Sequence, residues 1–436
     1  MSIPVVTVGQ SREDLVGGLE RLHGPVTVVR RCAELAELMA ACQSGIARAA
    51  VVAEGSEELT ASLVDRLGAV GVAIIALTDN AEEASRLRGL GVASALSGVE
   101  PSVLAGKISE AVARHTQHRG RGYDGVSGLS DPAAAAVVVP GAADPAEARE
   151  GSGSIIAVWG PAGAPGRTLV AANIAGELAA DGKSVILVDA DTYGASIAAL
   201  LGLLDESAGF AQACRLADQG VLDTETMDRI AVPVATRSGT FRVLTGVTRA
   251  DRWTELRPAA LGIVLERAKE LADVVVVDVG FCLESDEELS FDTMAPRRNG
   301  ATLRCLELAD TIYAVGSADP VGVPRLVRGL AELEQAVPGA SPRVIFNKVR
   351  SGAVGRDPER QLRDAWERYG PASAIGAYLP WDPSAADSAL LGGSLLLEAT
   401  PDAPLRHSIA QLVCAPKQQS RRSSVPLSTA RRRAKE

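Results

Sequence analysis

The chain has 436 residues, of which 47% are hydrophobic and only 3% aromatic. That length predicts two domains with connecting segments, the composition suits α/β layers with small residues at helix–sheet contacts, and the scarcity of aromatics argues against an RNA surface of stacked rings. The formal charge is −10, with seven Lys/Arg against one Glu in residues 417–436, a net of +6 that leaves −16 on the rest; an acidic body is a poor match for a nucleic-acid backbone, so no specific nucleic-acid partner is expected.

No run of 18 apolar residues occurs, so no transmembrane helix is expected. The start, MSIPVVTVGQ, has no basic stretch ahead of an apolar one, so no secretory signal is read and a cytoplasmic location is expected. The six cysteines, Cys32, Cys42, Cys214, Cys282, Cys305 and Cys414, are scattered without a CxxC pair and read as reduced thiols.

Residues 1–116 show five strand–helix units. The strands are IPVVTVG (3–9), PVTVV (25–29), AAVVAEG (49–55), VAIIALT (72–78) and VASALSG (92–98), short apolar runs suited to burial on both faces. Helical patterns lie between them, for example 11–22, with Ser11 as a candidate cap. Five such units predict a doubly wound, flavodoxin-like sheet with right-handed crossovers. The order resembles a response-regulator receiver domain, which implies an acidic pair after the first strand, an aspartate after the third and a lysine after the fifth. This chain has Gly9–Gln10, Ala53–Glu54 and Ser97–Gly98 at those places, although Thr78 after the fourth strand is kept. A docking or dimerisation module without phosphorylation chemistry is therefore expected. Residues 117–153 are rich in Gly, Ala, Pro and Ser and read as a flexible linker.

The βα rhythm returns at Ser154 and runs to about residue 416. Ile155–Trp159 is a buried-strand run, followed by a loop with Gly160, Gly163 and Gly166 and then by Arg167–Thr168. A helix with Val170, Ile174 and Leu178 on one face follows, and Gly182 ends it. Strand, glycine-rich loop and helix form a phosphate cradle: the glycines let backbone N–H groups face an anion, and the helix N-terminus adds unpaired donors. The usual string is GxxxxGK[ST]. Here Pro161 stands where the first glycine belongs, the loop is one residue longer, and Arg167 replaces the lysine. A glycine-rich turn packed on its sheet without a ligand is the competing reading of this string alone.

Further acids shift the balance. Asp189 and Asp191 close the next strand, and ADVVVVDVG (272–280) is a second buried strand that ends in Asp278. Thr168, Asp189 and Asp278 are the candidate Mg²⁺ residues, and Asp191 is the candidate for orienting an attacking water. An acid at a strand end also caps the helix that follows; three acids in this order go beyond what caps alone explain.

With these segments in view, residues 154–415 resemble the MinD/ParA family of P-loop ATPases. The resemblance rests on the glycine loop, VDADTYGASIAALLGL (188–203), the strand ending at Asp278, GATLRCLELADTIYAVGSADP (300–320), VIFNKV (344–349) and the stretch from Tyr378 to Val413. It implies an α/β fold with a mostly parallel sheet, ATP and Mg²⁺ as ligands, Asn347 as the residue that reads adenine, and a loop of Pro380, Trp381 and Asp382 that borders the base. It also implies a nucleotide-dependent homodimer with phosphate loops at the interface. The family's lysine early in the loop is replaced by Pro161, and Arg167, a planar fork, is less able to act as a point charge. ATP binding is therefore expected and hydrolysis is expected to be slow.

Joining a degenerate receiver to a MinD-like ATPase is similar to the pilus-assembly localisation proteins (CpaE/TadZ) and to the actinobacterial septum-site-determining (Ssd) branch. GPAGAPGRT (160–168), TGVTRADRW (245–253) and APRRNGAT (295–302) look most like the latter. A spatial regulator of division-site selection or of pilus assembly is implied, with division or pilus-assembly proteins as partners. A pseudo-ATPase scaffold working through protein contacts alone is the alternative. Arg297 or Arg298 is a candidate arginine finger, against an exposed basic pair at a helix start. The tail 417–436 has charge but little apolar face and contains Pro426, so weak contact with an anionic membrane surface is the most it offers.

Overall fold

The computed structural model describes residues 2–9, 15–22, 24–119, 153–163, 165–203, 208–284 and 297–413. Ser11, Gln10, Cys414, most of the segment 117–153 and the tail 417–436 lie outside the described residues.

Short apolar runs with β-branched residues become strands buried on both faces. In the N-terminal unit these are β1 (Ile3–Val8), β2 (Val26–Cys32), β3 (Ala49–Val52), β4 (Ala73–Leu77) and β5 (Ala93–Ala95). They form one parallel sheet in the order β2-β1-β3-β4-β5, the doubly wound order of flavodoxin-like folds. The expected fifth strand, 92–98, shortens to three residues. Asp79 ends the pairing there by accepting a hydrogen bond from the Ser97 amide at 3.0 Å. The second runs on to Cys32, three residues past its expected end, with β1 following it through a register shift at Val5/Val6. Helix starts are chemically marked: Thr60 caps Ala61–Ala69, and Asn80 caps Ala81–Gly89 by accepting from Glu82 N at 2.9 Å.

Residues 154–413 build a second sheet from β6 (Ser154–Trp159), β7 (Val185–Ala190), β8 (Val232–Ala235), β9 (Thr240–Leu244), β10 (Val274–Val279), β11 (Thr311–Ser317), β12 (Arg343–Val349) and β13 (Ile375–Pro380). The order is β13-β12-β11-β6-β10-β7-β9-β8, parallel throughout except for the hairpin β8–β9 at one edge. Pro233 sits in that edge strand, where a missing N–H costs no ladder bond to a further neighbour. β10, an unbroken valine run, lies between β6 and β7 with every residue buried. Helices cover both faces, and the chain leaves β6 towards β7 and later β11 on its opposite side. That makes the C-terminal edge of β6 the crevice where such sheets hold ligands.

The two units touch. Asp218, at the end of helix Gly209–Asp218, accepts from the Ser62 amide at 2.9 Å and from its hydroxyl at 2.6 Å. The Arg86 guanidinium donates to Gln219 O at 3.0 Å while also holding Ser56 O, Leu59 O and Glu83. Ala259 and Ile263, on helix Pro258–Leu271, pack against the apolar core of the N-terminal unit. Among the described residues no helix is long and apolar enough to cross a membrane.

Candidate functional site

Three strand ends create the site. Pairing sets Asp278 of β10 beside Asp189 of β7 and beside Val158 of β6. The glycine loop that leaves β6 therefore meets both carboxylates at one sheet edge. Gly160 has to be glycine because a Cβ would strike the Val315 carbonyl of β11. Gly166 has φ +94°, and a Cβ there would come within 2.5 Å of Asn347 Nδ2. It is the residue before helix Arg167–Ala180, whose face of Val170, Ile174 and Leu178 is buried as the periodicity requires. Gly182, at φ +90°, follows the end of that helix, and its N–H donates to Ala179 O at 3.1 Å.

The side chains around the loop are largely engaged. Arg167 donates to Gly160 O at 3.1 Å and pairs with Asp191 Oδ2 at 3.4 Å. Asp191 Oδ1 accepts from Tyr193 N at 2.8 Å and Gly194 N at 3.1 Å. Asp189 Oδ2 accepts from Ser196 N at 2.9 Å and Ile197 N at 3.0 Å, so this acid also anchors the turn into helix Ile197–Leu200. Burial lifts its carboxyl above the usual range, against the pull of those N–H groups.

Asp278 is different. Its residue is 1% exposed and its Oδ1 has no hydrogen-bond partner. Burial, then the neighbouring Asp189 charge, push its carboxyl up to about 8, while a hydrogen bond with the Thr168 hydroxyl and the charge of Arg167 act the other way. A carboxylate oxygen left bare inside a protein is costly. A divalent cation beside Thr168 and Asp278 would remove that cost, and hard oxygen donors of this kind suit Mg²⁺. The residues present fit the ion.

Asn347, at the end of β12, is buried at 6% exposure and turned onto the loop: Nδ2 donates to Pro165 O at 2.7 Å, and Oδ1 accepts from Lys348 N at 2.8 Å. Lys348 takes φ +61°, the one described non-glycine residue in the left-handed region. Pro380 ends β13, and Asp382 caps helix Pro383–Leu391 through Ala385 N at 3.1 Å. Trp381 between them is 47% exposed, with the Lys348 ammonium 5.8 Å and the Arg350 guanidinium 5.4 Å from its ring. The glycine loop, Arg167, Thr168, the three acids and Asn347 thus share one sheet edge, with Pro380 and Asp382 at the end of β13, the strand next to Asn347's β12.

Sequence reasoning missed the partners of the turn after β7. Arg298 lies 3.9 Å over the Tyr193 ring and donates to Thr192 O at 2.9 Å. Tyr193 donates to Asn299 Oδ1 at 2.7 Å and packs on Phe281. The pair Arg297–Arg298 is therefore split: Arg297 is exposed, whereas Arg298 has a buried Nε and serves the turn that carries Asp191. Nothing in the local sequence marks Arg298 over Arg297, since the contact spans more than a hundred residues.

Residues 152–230 match the ParA family model, described as NUBPL iron-transfer P-loop NTPase. That stretch contains the glycine loop, Arg167, Thr168, Asp189 and Asp191. No curated protein matches the chain. Among solved structures, the chain is similar to a ParA family ATPase from Chlorobium tepidum, with 18% identity, coverage of 60% of this chain and 98% of that one, and a TM-score of 0.49. The cell division ATPase MinD of Pyrococcus furiosus has 18% identity, 60% and 97% coverage, and a TM-score of 0.46. The septum site-determining protein MinD of Pyrococcus horikoshii, complexed with Mg-ADP, has 17% identity, 60% and 94% coverage, and a TM-score of 0.46.

Proposed function

We propose that the protein binds ATP with Mg²⁺ at the loop 160–168 and acts as a spatial regulator in division-site selection or pilus-assembly localisation. Residues 1–116 serve as a receiver-like module without phosphorylation chemistry, 117–153 as a linker, 154–416 as the ATPase unit and 417–436 as a basic tail. The observation that carries the reading is the bare, buried Asp278 Oδ1 next to Thr168, at the mouth of a glycine cradle. A helix–sheet turn without a ligand has no physical use for that orphaned oxygen.

In this reading the backbone N–H groups of the loop and the N-terminus of helix Arg167–Ala180 hold phosphate oxygens. Thr168 and Asp278 hold the metal, and Asp189 shapes its surroundings. When bound, the metal neutralises phosphate charge. Asn347 steadies the loop through Pro165 O, next to the strand-end region where Pro380 and Asp382 border the base. Asp191 orients water only after Arg167 lets go of it, which makes hydrolysis slow. Nucleotide brings two copies together across their loops, and the N-terminal unit fixes the position of the pair in the cytoplasm, with the basic tail making at most weak contact at the inner face of the membrane.

One observation favours the pseudo-ATPase scaffold instead: Arg167 is already satisfied by Gly160 O and Asp191. Light scattering after size exclusion separates the two. Dimers with ATP–Mg²⁺ and monomers with ADP or no nucleotide support the regulator; one mass under all conditions supports the scaffold.

A further inference from the structure

Helix Gly322–Ala336 lies along the glycine loop, and its contacts are periodic. A Cβ at Gly163 would come within 2.6 Å of Arg325 Nη1, and a Cβ at Gly329 would come within 3.3 Å of Pro161 Cβ. Arg325 and Gly329 are four residues apart and so share one helix face. That face is held firmly. Leu326, Leu330 and Leu333 are buried, Leu326 packs onto Gly316 of β11, and the helix start is tied down by Asp319, whose Oδ1 accepts from Val321 N at 2.9 Å and Gly322 N at 2.8 Å. Gly163, at φ +113°, is glycine for its backbone conformation, and the Arg325 guanidinium lies against it.

The charge balance gives this contact a purpose. Within 160–168 the sole cationic residue is Arg167, and it is neutralised by Asp191. Arg325 is exposed, and among the described residues it has no ion-pair partner. A polyanion entering the cradle would meet Arg325 as the available cation at the Gly163 side of the loop. A guanidinium there can grip two phosphate oxygens at once.

We propose that Arg325, from outside the loop, is the residue that binds the terminal phosphates of the nucleotide and selects triphosphate over shorter nucleotides. The assignment rests on the nucleotide site proposed above. It predicts graded losses: Arg325→Ala and Arg325→Gln weaken binding of a fluorescent ATP analogue with Mg²⁺ by roughly tenfold or more, as loss of a charge-assisted hydrogen bond does. The loss for the ADP analogue is smaller, and AMP is unaffected. Arg325→Lys recovers part of the ATP loss. A merely structural role would lower all three nucleotides together and would lower the melting temperature, which is read on the same samples. Binding of ATP by both neutral variants as tight as wild type, or equal losses for ATP and AMP, overturns the assignment and leaves the site standing. Wild type that binds none of the three overturns the site and the assignment together.

Discussion

The last described helix, Pro404–Val413, packs on the phosphate-loop helix and is tied to it by an Arg406–Glu177 ion pair, and cutting that pair should be expensive. Arg406 Nε and Nη2 donate to the two oxygens of Glu177 at 2.6 and 2.7 Å. The Glu177 side chain is 4% exposed and that of Arg406 26%. Arg406→Ala therefore removes two guanidinium hydrogen bonds from a carboxylate that water barely reaches, on the helix that begins at Arg167. Removing one partner of a buried pair costs about 3–5 kcal/mol. Because Arg406 is partly open to solvent, the lower end, about 3 kcal/mol, is the expectation here. The double change Glu177→Leu with Arg406→Leu leaves no charge behind and should recover much of that loss. Urea unfolding followed through the buried Trp159 is the assay, with the midpoint falling in Arg406→Ala and returning in the double variant. A loss below about 1 kcal/mol in the single variant, the size of a surface pair, would refute the reasoning.

Other outcomes follow from the loop. Gly166→Ala must place a Cβ at φ +94° against Asn347 Nδ2, so it should cost about 1–2 kcal/mol from backbone conformation alone and abolish nucleotide binding; unchanged affinity in a folded variant would contradict the cradle. Asp278→Asn should uncouple stability from binding. Its carboxyl is raised from 3.8 to about 8, so the native protein tolerates the acid best below pH 4 and loses that advantage as pH rises through 8. Nucleotide-free Asp278→Asn should thus melt higher than wild type at pH 8, with the gap closing towards pH 5, while Mg²⁺–nucleotide affinity collapses. A gap that is constant with pH would place the carboxyl in the ordinary range.

Much of the fold was legible because its signals are local. Runs such as Val274–Val277 can only be buried strands, and Gly166 and Gly182 mark where backbone must turn left-handed. Strand ends carried Asp189, Asp191 and Asp278 to one edge because parallel neighbours in register end together. The edge hairpin β8–β9 was harder to read, since its half-buried strands alternate weakly and include Pro233. What the residues do to one another was not legible. Arg167 meeting Asp191, Arg298 choosing Tyr193, Asn347 turning onto Pro165, and Arg325 reaching Gly163 from a distant helix all depend on tertiary placement, which no spacing encodes. The seam between the units, built by Ser62, Arg86, Asp218 and Gln219, is polar and scattered along the chain, so no periodicity announced it.

The nucleotide site itself is tested most directly by equilibrium binding of a fluorescent ATP analogue with Mg²⁺ to wild type, Arg167→Ala and Asp278→Ala. Micromolar binding by wild type that is lost in both variants is the predicted result. A folded wild type that binds nothing at millimolar nucleotide would contradict it and leave the protein a scaffold built on a phosphate loop.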